Sequence, residues 1–295
     1  MDVSVVIVNY NGGKWIDRSI RAVLETTRGI ACEIIVADNG SIDGSDRQIE
    51  HVFGSQVHLL RLGANRGFAA ANNEALPYCT GRNILFLNPD TEVQSDAIKI
   101  MSDYLNYHIE AGACGGNLYL PQGSPAFSYW TVLPGVRFEL NRLFSDVFLV
   151  LRHRGSQEHN HTGKEKRVAH IMGADLMVKK AVLDKVGAMD DDFFLFYEDT
   201  ELCCRIARAG YSIVNIPEAH INHAEGQSID AANQRLSCMM ASRRIYLDKC
   251  VSVFEHHMAD GILWISSSIR LFWFSLIHNE KKKNYWHYIR THIEA

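Results

Sequence analysis

Four short apolar runs, each ended by a cluster of Asn, Asp or Arg, constrain this chain more than any other feature. They lie at residues 3–9, 33–38, 57–62 and 83–87. The first is an unbroken β-branched run, as expected of a strand covered on both faces. Between the runs, residues 14–25, a short segment from about Asp43, and residues 67–76 have helical spacing. Strands alternating with helices predict an α/β fold, with a mixed, mostly parallel sheet flanked by helices.

The breaks between these runs carry the candidate chemistry. Asn9, Tyr10 and Asn11 follow the first run, Asp38 and Asn39 the second, Arg66 the third, and Asn88 and Asp90 the fourth. Ligands of open α/β sheets bind beyond the carboxyl ends of the strands, so the four clusters predict one site. A carboxylate at Asp38 suits the imide N–H of a pyrimidine base or a ribose hydroxyl, and serves equally as a turn cap. Asp90 emerges after a purely apolar run, where an oxygen ligand for Mg²⁺ or Mn²⁺ is useful, although Pro89-Asp90 is also a plain turn signal.

Further along, Glu198 and Asp199 follow Phe193, Phe194, Phe196 and Tyr197, just before a segment with helical spacing. Asp199 at the N-cap or in the first turn is held rigidly enough to act as a general base, with the aromatic residues as a wall for a sugar ring. Capping and core packing are the plainer readings of the same residues. His220 and His223 stand three apart, which is not in itself a metal motif. A helix is predicted at 180–186 and a last short strand at 211–216. Residues 133–167 lose periodicity, are basic and rich in His at their centre, and read as a loop over a site or a surface insert.

Several classes are disfavoured. The formal net charge of -4 offers nucleic acid no global attraction. No GxGxxG follows a strand and no GxxxxGK[ST] occurs, against dinucleotide and P-loop chemistry. Seven cysteines without a CxxC pair indicate neither a zinc ribbon nor a disulfide framework, and a cytosolic setting is expected. The first apolar run has no basic leader and reads as a strand.

In order along the chain, the segments 5–12, 37–45, 65–73, 86–91, 173–178 and 194–202 resemble the family 2 glycosyltransferases of the GT-A fold. The likeness is strongest to their bacterial rhamnosyltransferase-like branch and spans residues 3 to about 227. It implies that Asn9, Tyr10 and Asp38 hold the nucleoside, while Asn65, Arg66 and Gly67 approach the nucleotide-sugar. Asp90 then matches the metal-binding carboxylate of the family's DxD element, and His223 its late histidine near metal and diphosphate. Asp199 matches the catalytic base, with Glu198 beside it shaping the acceptor site. Asn88 departs from the pattern by standing where a full DxD has its first aspartate.

The resemblance implies an inverting transfer from a nucleotide-sugar donor, supported by Mg²⁺ or Mn²⁺, to a glycan or lipid-linked acceptor in cell-surface polysaccharide synthesis. L-Rhamnose from dTDP-rhamnose is the first donor to consider. A sugar-phosphate nucleotidyltransferase and a non-catalytic nucleotide-sugar-binding protein remain alternatives.

Residues 1–228 are expected to form the catalytic domain and 229–295 a helical extension. Residues 229–254 read as a helix with Arg243 and Arg244 on a polar face. Residues 261–277 are strongly apolar but shorter than the roughly 20 residues a bilayer span requires. Their apolar positions 262, 265, 269, 272, 273 and 276 share one helical face, and Lys281 to Lys283 follow. That pattern suits peripheral membrane association through 257–295, at the inner face of the plasma membrane. Docking on the catalytic domain or a homodimer contact is the alternative.

Overall fold

The computed structural model describes residues 1–152, 159–224 and 232–293, with backbone alone for 145–152, 232 and 233. The chain divides into two compact units: residues 1–131 with 157–230, and residues 132–156 with 231–295. The predicted boundary at 228 and 229 falls outside the described residues.

The first unit begins β1 (Val3–Asn9), α1 (Gly13–Thr26), β2 (Cys32–Asp38), α2 (Ser45–Phe53), β3 (His58–Arg61), α3 (Phe68–Ala75), β4 (Asn83–Leu87) and β5 (Thr91–Val93). It continues with α4 (Ala97–Tyr107), β6 (Ala111–Tyr119) and β7 (Tyr129–Trp130). After α5 (Val136–Arg152), which belongs to the second unit, come β8 (Lys166–Val168), β9 (His170–Ile171), β10 (Asp175–Lys179), α6 (Lys180–Val186), α7 (Glu198–Arg208) and β11 (Ser212–His223).

The main sheet runs β3-β2-β1-β4-β10-β6-β11-β5, with β8 also on β11, while β7 and β9 form a separate ribbon. Its first four strands are parallel, with Asn9 opposite Asp38. Beyond β4 the sheet is mixed, because β10 is antiparallel to both β4 and β6. Complete burial of Val3, Val5, Val6 and Ile7 explains the missing alternation in the first run.

Two strands exceed what periodicity shows. β6 is built from Ala, Gly and Cys, which have low strand preference. Packing selects them: a Cβ on Gly115 would lie 2.2 Å from Ile171 Cγ2, and one on Gly116 2.2 Å from Ala219 O. β11 runs past Ile216 to His223, seven residues beyond the predicted end. A register shift between Asn215 and His220 absorbs Pro217, which has no N–H for the ladder. The strand then resumes and pairs His223 with Thr91.

The loop expected over 133–167 is largely structured. Residues 136–152 form α5 and 166–168 form β8, while 153–158 lie outside the described residues.

In the second unit, α9 (Val253–Leu276) packs against α5, α8 (Ala232–Cys250) and α10 (Glu280–Thr291). Ala259, Leu263, Ser266 and Ser267 are its buried residues, and Leu236, Met240, Ile289 and Ile293 complete the small core. Arg243 is not on a polar surface as expected. It is buried between Glu139 on α5, at 3.3 Å, and Asp260 on α9, at 2.6 Å. Arg270 lies against the Trp286 ring, and burial lowers its pKa to about 10. The predicted apolar stripe stays open: Ile265, Ile269, Phe272, Trp273 and Leu276 are each about half exposed or more. Among the described residues, no helix is long and apolar enough to cross a membrane.

Candidate active site

At the carboxyl edge of the parallel strands, Asn9 and Asp38 meet inside the protein. Asn9 Nδ2 donates to Asp38 Oδ1 at 2.7 Å, and to Ser41 and Ser45 hydroxyls at 3.0 and 2.8 Å. Asn9 is fully buried, so it orients Asp38 and leaves Tyr10, which is partly exposed, nearer to any ligand. Asp38 Oδ2 accepts the Ser41 N–H at 3.2 Å. The turn-capping role considered for Asp38 is therefore seen in the structure.

The next turn is bound to the first through Asn39, which the sequence placed in the second polar cluster without a role of its own. Its Nδ2 donates to Asn65 Oδ1 and to the Gly67 carbonyl, and its Oδ1 accepts the Arg66 N–H at 2.9 Å. The Arg66 guanidinium pairs with Glu74 at 2.8 Å on the surface. Gly67 has φ +90°, and a Cβ there would lie 2.5 Å from the Phe194 carbonyl oxygen. Phe68 N–H donates to that same carbonyl at 2.8 Å, fastening this turn to the aromatic loop before α7.

Asp90 and His223 come together as predicted: Oδ1 and Nε2 are 3.3 Å apart, and both side chains are buried. Asn88 Nδ2 lies 3.4 Å from the same nitrogen. His223 Nδ1 is buried without a hydrogen-bond partner among the described residues. A carboxylate and an imidazole are donors that would fit a divalent ion. Among the described residues there is no group of three or more His, Cys, Asp or Glu placed to hold a metal.

Asp175 also went unremarked as a site residue. It is fully buried at the start of β10, and burial raises its pKa to about 7, against the opposing Gly116 N–H bond of 2.6 Å. Its place in the Gly-Ala-Asp segment was the available sequence signal.

Glu198 and Asp199 open α7, in its first turn and not at the cap. The chain enters this helix through Phe196 and Tyr197, with φ of +70° and +68°, a costly conformation for aromatic residues. Asp199 Oδ1 accepts the Thr200 N–H and hydroxyl at 2.6 and 3.0 Å. Its Oδ2 accepts the Gly173 N–H at 2.7 Å and lies 3.2 Å from His170 Nε2. Burial opposes ionisation of Asp199, but His170, Gly173 and Thr200 outweigh it and hold the carboxyl below its usual range. Glu198 goes the other way: burial, reinforced by the Asp199 charge, pushes it well above the carboxylate range. The two neighbouring acids are thus pushed in opposite directions.

Backbone contacts join the two halves of the site. Asn88 N–H donates to the Ala174 carbonyl at 3.1 Å, so the turn bearing Asp90 adjoins the turn whose Gly173 holds Asp199.

The family model described as "Glycosyl transferase family 2" matches residues 4–186. The chain belongs to that family. A second model, "Glycosyl transferase family group 2", matches residues 146–291. Among curated relatives, the dTDP-rhamnosyl transferase RfbF of Shigella flexneri is 25% identical, covering 100% of this chain and 94% of its own. The N-acetylglucosaminyl-diphospho-decaprenol L-rhamnosyltransferase of Mycobacterium tuberculosis is 26% identical over 76% of each chain. The low-salt glycan biosynthesis hexosyltransferase Agl10 of Haloferax volcanii is 26% identical, covering 84% of this chain and 73% of its own.

Solved structures of similar fold include GalNAc-T7 with UDP, GalNAc and Mn²⁺ (TM-score 0.59, 16% identity), which aligns with 83% of this chain and 47% of its own. Residues 1-349 of S. aureus TarS in complex with UDP give a TM-score of 0.56 at 15% identity, covering 94% of this chain and 75% of that one. At these identities the likeness establishes the GT-A fold. For this family 2 glycosyltransferase, membership sets aside the nucleotidyltransferase alternative.

Proposed function

We propose that this glycosyltransferase inverts the anomeric centre as it moves L-rhamnose from dTDP-rhamnose to a glycan or lipid-linked acceptor in surface-polysaccharide synthesis. One observation carries the reading: Asp199 is tethered to the Gly173 turn, whose neighbour Ala174 accepts from the Asn88 turn that bears Asp90. Base and diphosphate groups must act on opposite sides of one sugar carbon, and this linkage supplies the required proximity. The rhamnosyl donor is supported by the names of the Shigella and Mycobacterium relatives, and a lipid-diphosphate acceptor by the latter.

In this mechanism Asp38, steadied by Asn9, accepts a hydrogen bond from the nucleoside, and the 65–67 turn lies along the nucleotide-sugar. Asp90 and His223 hold Mg²⁺ or Mn²⁺, which when bound neutralises charge on the diphosphate. Asp199 accepts the proton of the acceptor hydroxyl as its oxygen bonds to the anomeric carbon. The bond from that carbon to the nucleoside diphosphate breaks, and its electron pair leaves with the diphosphate. Protonated Glu198 shapes the acceptor side without competing for that proton.

Residues 257–295 rest on the cytoplasmic face of the membrane in this reading, supported by the open apolar stripe of α9 and by Lys281, Lys282 and Lys283 beside it. The first test is thermal unfolding with a panel of dTDP-, UDP- and GDP-sugars, with and without Mn²⁺. A metal-dependent rise in Tm largest for dTDP-rhamnose is the expected result. A panel that leaves the Tm unmoved would sink the donor assignment.

A further inference from the structure

We propose that His170 is a positioning residue for the base, making Asp199 and not Glu198 the ionised member of the adjacent carboxylate pair. The inference deepens the transferase reading and rests on it. Two acids on consecutive residues in a buried first turn cannot both ionise cheaply, so their surroundings decide which one carries the charge.

The surroundings here are one-sided. Asp199 accepts two backbone N–H groups and the Thr200 hydroxyl and has His170 Nε2 at ion-pair distance, 3.2 Å from Oδ2, while Glu198 Oε2 is buried with no hydrogen-bond partner among the described residues. Of the groups around Asp199, His170 is the side chain contributed from a distant part of the chain. Backbone donors persist through any side-chain substitution; the imidazole is the part of the arrangement that this particular sequence supplies.

His170 is well placed to be rigid. It pairs with Trp130 across the β7–β9 ribbon, and the Ala169 N–H donates to the Trp130 carbonyl at 2.8 Å. The two rings lie 4.8 Å apart, and Trp130 in turn lies 6.2 Å from Tyr197. The His170 side chain is 2% exposed and that of Asp199 15%, so the carboxylate meets the cleft and the imidazole stands behind it. An incoming hydroxyl therefore reaches Asp199 and not His170, which acts through the base. Glu198 and Cys203, both on α7, also lie within electrostatic reach of Asp199. Burial pushes the Cys203 thiol far up, so it adds no charge.

The test compares two variants of the full chain. His170→Asn removes a donor that reaches Oδ2, whereas the longer amide of His170→Gln restores one. For Asn, kcat should fall about tenfold to 100-fold with donor KM within about twofold, and the acid limb of the kcat profile should move to higher pH. Gln should recover most of the loss and return the limb toward wild type. The same upward shift should appear in the Asp199 carboxyl titration followed by ¹³C NMR in protein without ligand. A wild-type limb and kcat in the Asn variant would overturn the proposal. So would equal losses in both variants with raised KM and no shift of the limb, since that is the signature of packing alone. If wild-type protein turned over no nucleotide-sugar while the carboxyl titration still moved, the transferase reading would fail and the role of His170 would stand.

Discussion

The two units solve opposite problems with charge. Residues 132–156 and 231–295 hold 13 Lys and Arg against 7 Asp and Glu, whereas the rest of the chain holds 17 against 27. In the first unit, Asp38, Asp90, Asp175 and Glu198 are buried, and burial raises Asp175 and Glu198 while the surroundings of the partly buried Asp199 lower it. In the helical unit, the charges hold helices together or lie beside an open apolar stripe. One unit is organised to recognise a small anion-bearing ligand through local geometry despite its own negative excess. The other carries a net positive excess beside an exposed apolar stripe, the combination that the proposed membrane contact would use.

That contrast is breakable. The largest effect should come from Asp199→Asn, with transfer down about 1,000-fold and nucleotide affinity retained by calorimetry. Near-normal turnover would move the base elsewhere. Arg243→Met leaves Glu139 to Arg142 at 3.9 Å and Asp260 to His256 at 3.1 Å, and should lower stability by about 3 kcal/mol in denaturant unfolding. An unchanged midpoint would mean that the buried network contributes little. Asp90→Ala should weaken metal-supported donor binding by about 30-fold to 100-fold, read as the shift in the Mn²⁺ activation curve.

Phe272→Ser should reduce co-sedimentation with anionic vesicles about tenfold, with transfer to a short soluble acceptor preserved. Vesicle binding that survived this change and deletion of 257–295 would reject the membrane role of the tail. The smallest effect concerns Glu198. Its raised folded pKa means that it stays neutral in the native protein but ionises on unfolding above pH ~4.3. The associated stability is complete at low pH and lost as pH rises toward the folded value. Glu198→Gln should therefore gain stability relative to wild type as pH is raised from about 4.5, and a pH-independent difference would contradict the assignment.

How much of this was readable in the residues depended on the kind of signal. β1 and β4 appeared with their observed ends because buried parallel strands leave unbroken apolar runs. β6 was hidden because its composition answers to Ile171 and Ala219, neighbours distant along the chain. The extent of β11 was hidden by Pro217, a signal that usually ends a strand but here sits within a register shift. α5 went unread because its sequence runs into a basic, His-bearing stretch that masks its periodicity.

The site followed the same rule. Asp90 with His223, and Asp38 with Asn9, were indicated by motif order and are joined in space. His170 was not, and Asn39 was placed in a cluster without a role, since their importance lies in what they touch across the fold. Nothing local to Arg243 announces that it will be enclosed by Glu139 and Asp260.

The seam at Gly67 bears on how enzymes of this kind can be recombined. With no room for a methyl group between Gly67 and the Phe194 carbonyl, and with Phe68 bonded to that same oxygen, neither segment tolerates a foreign partner of slightly different contour. Chimeras built to exchange sugar preference between relatives should therefore inherit residues 65–68 and 190–199 from one parent. Crossovers placed between them would produce proteins that fold yet misalign the incoming substrate against its base.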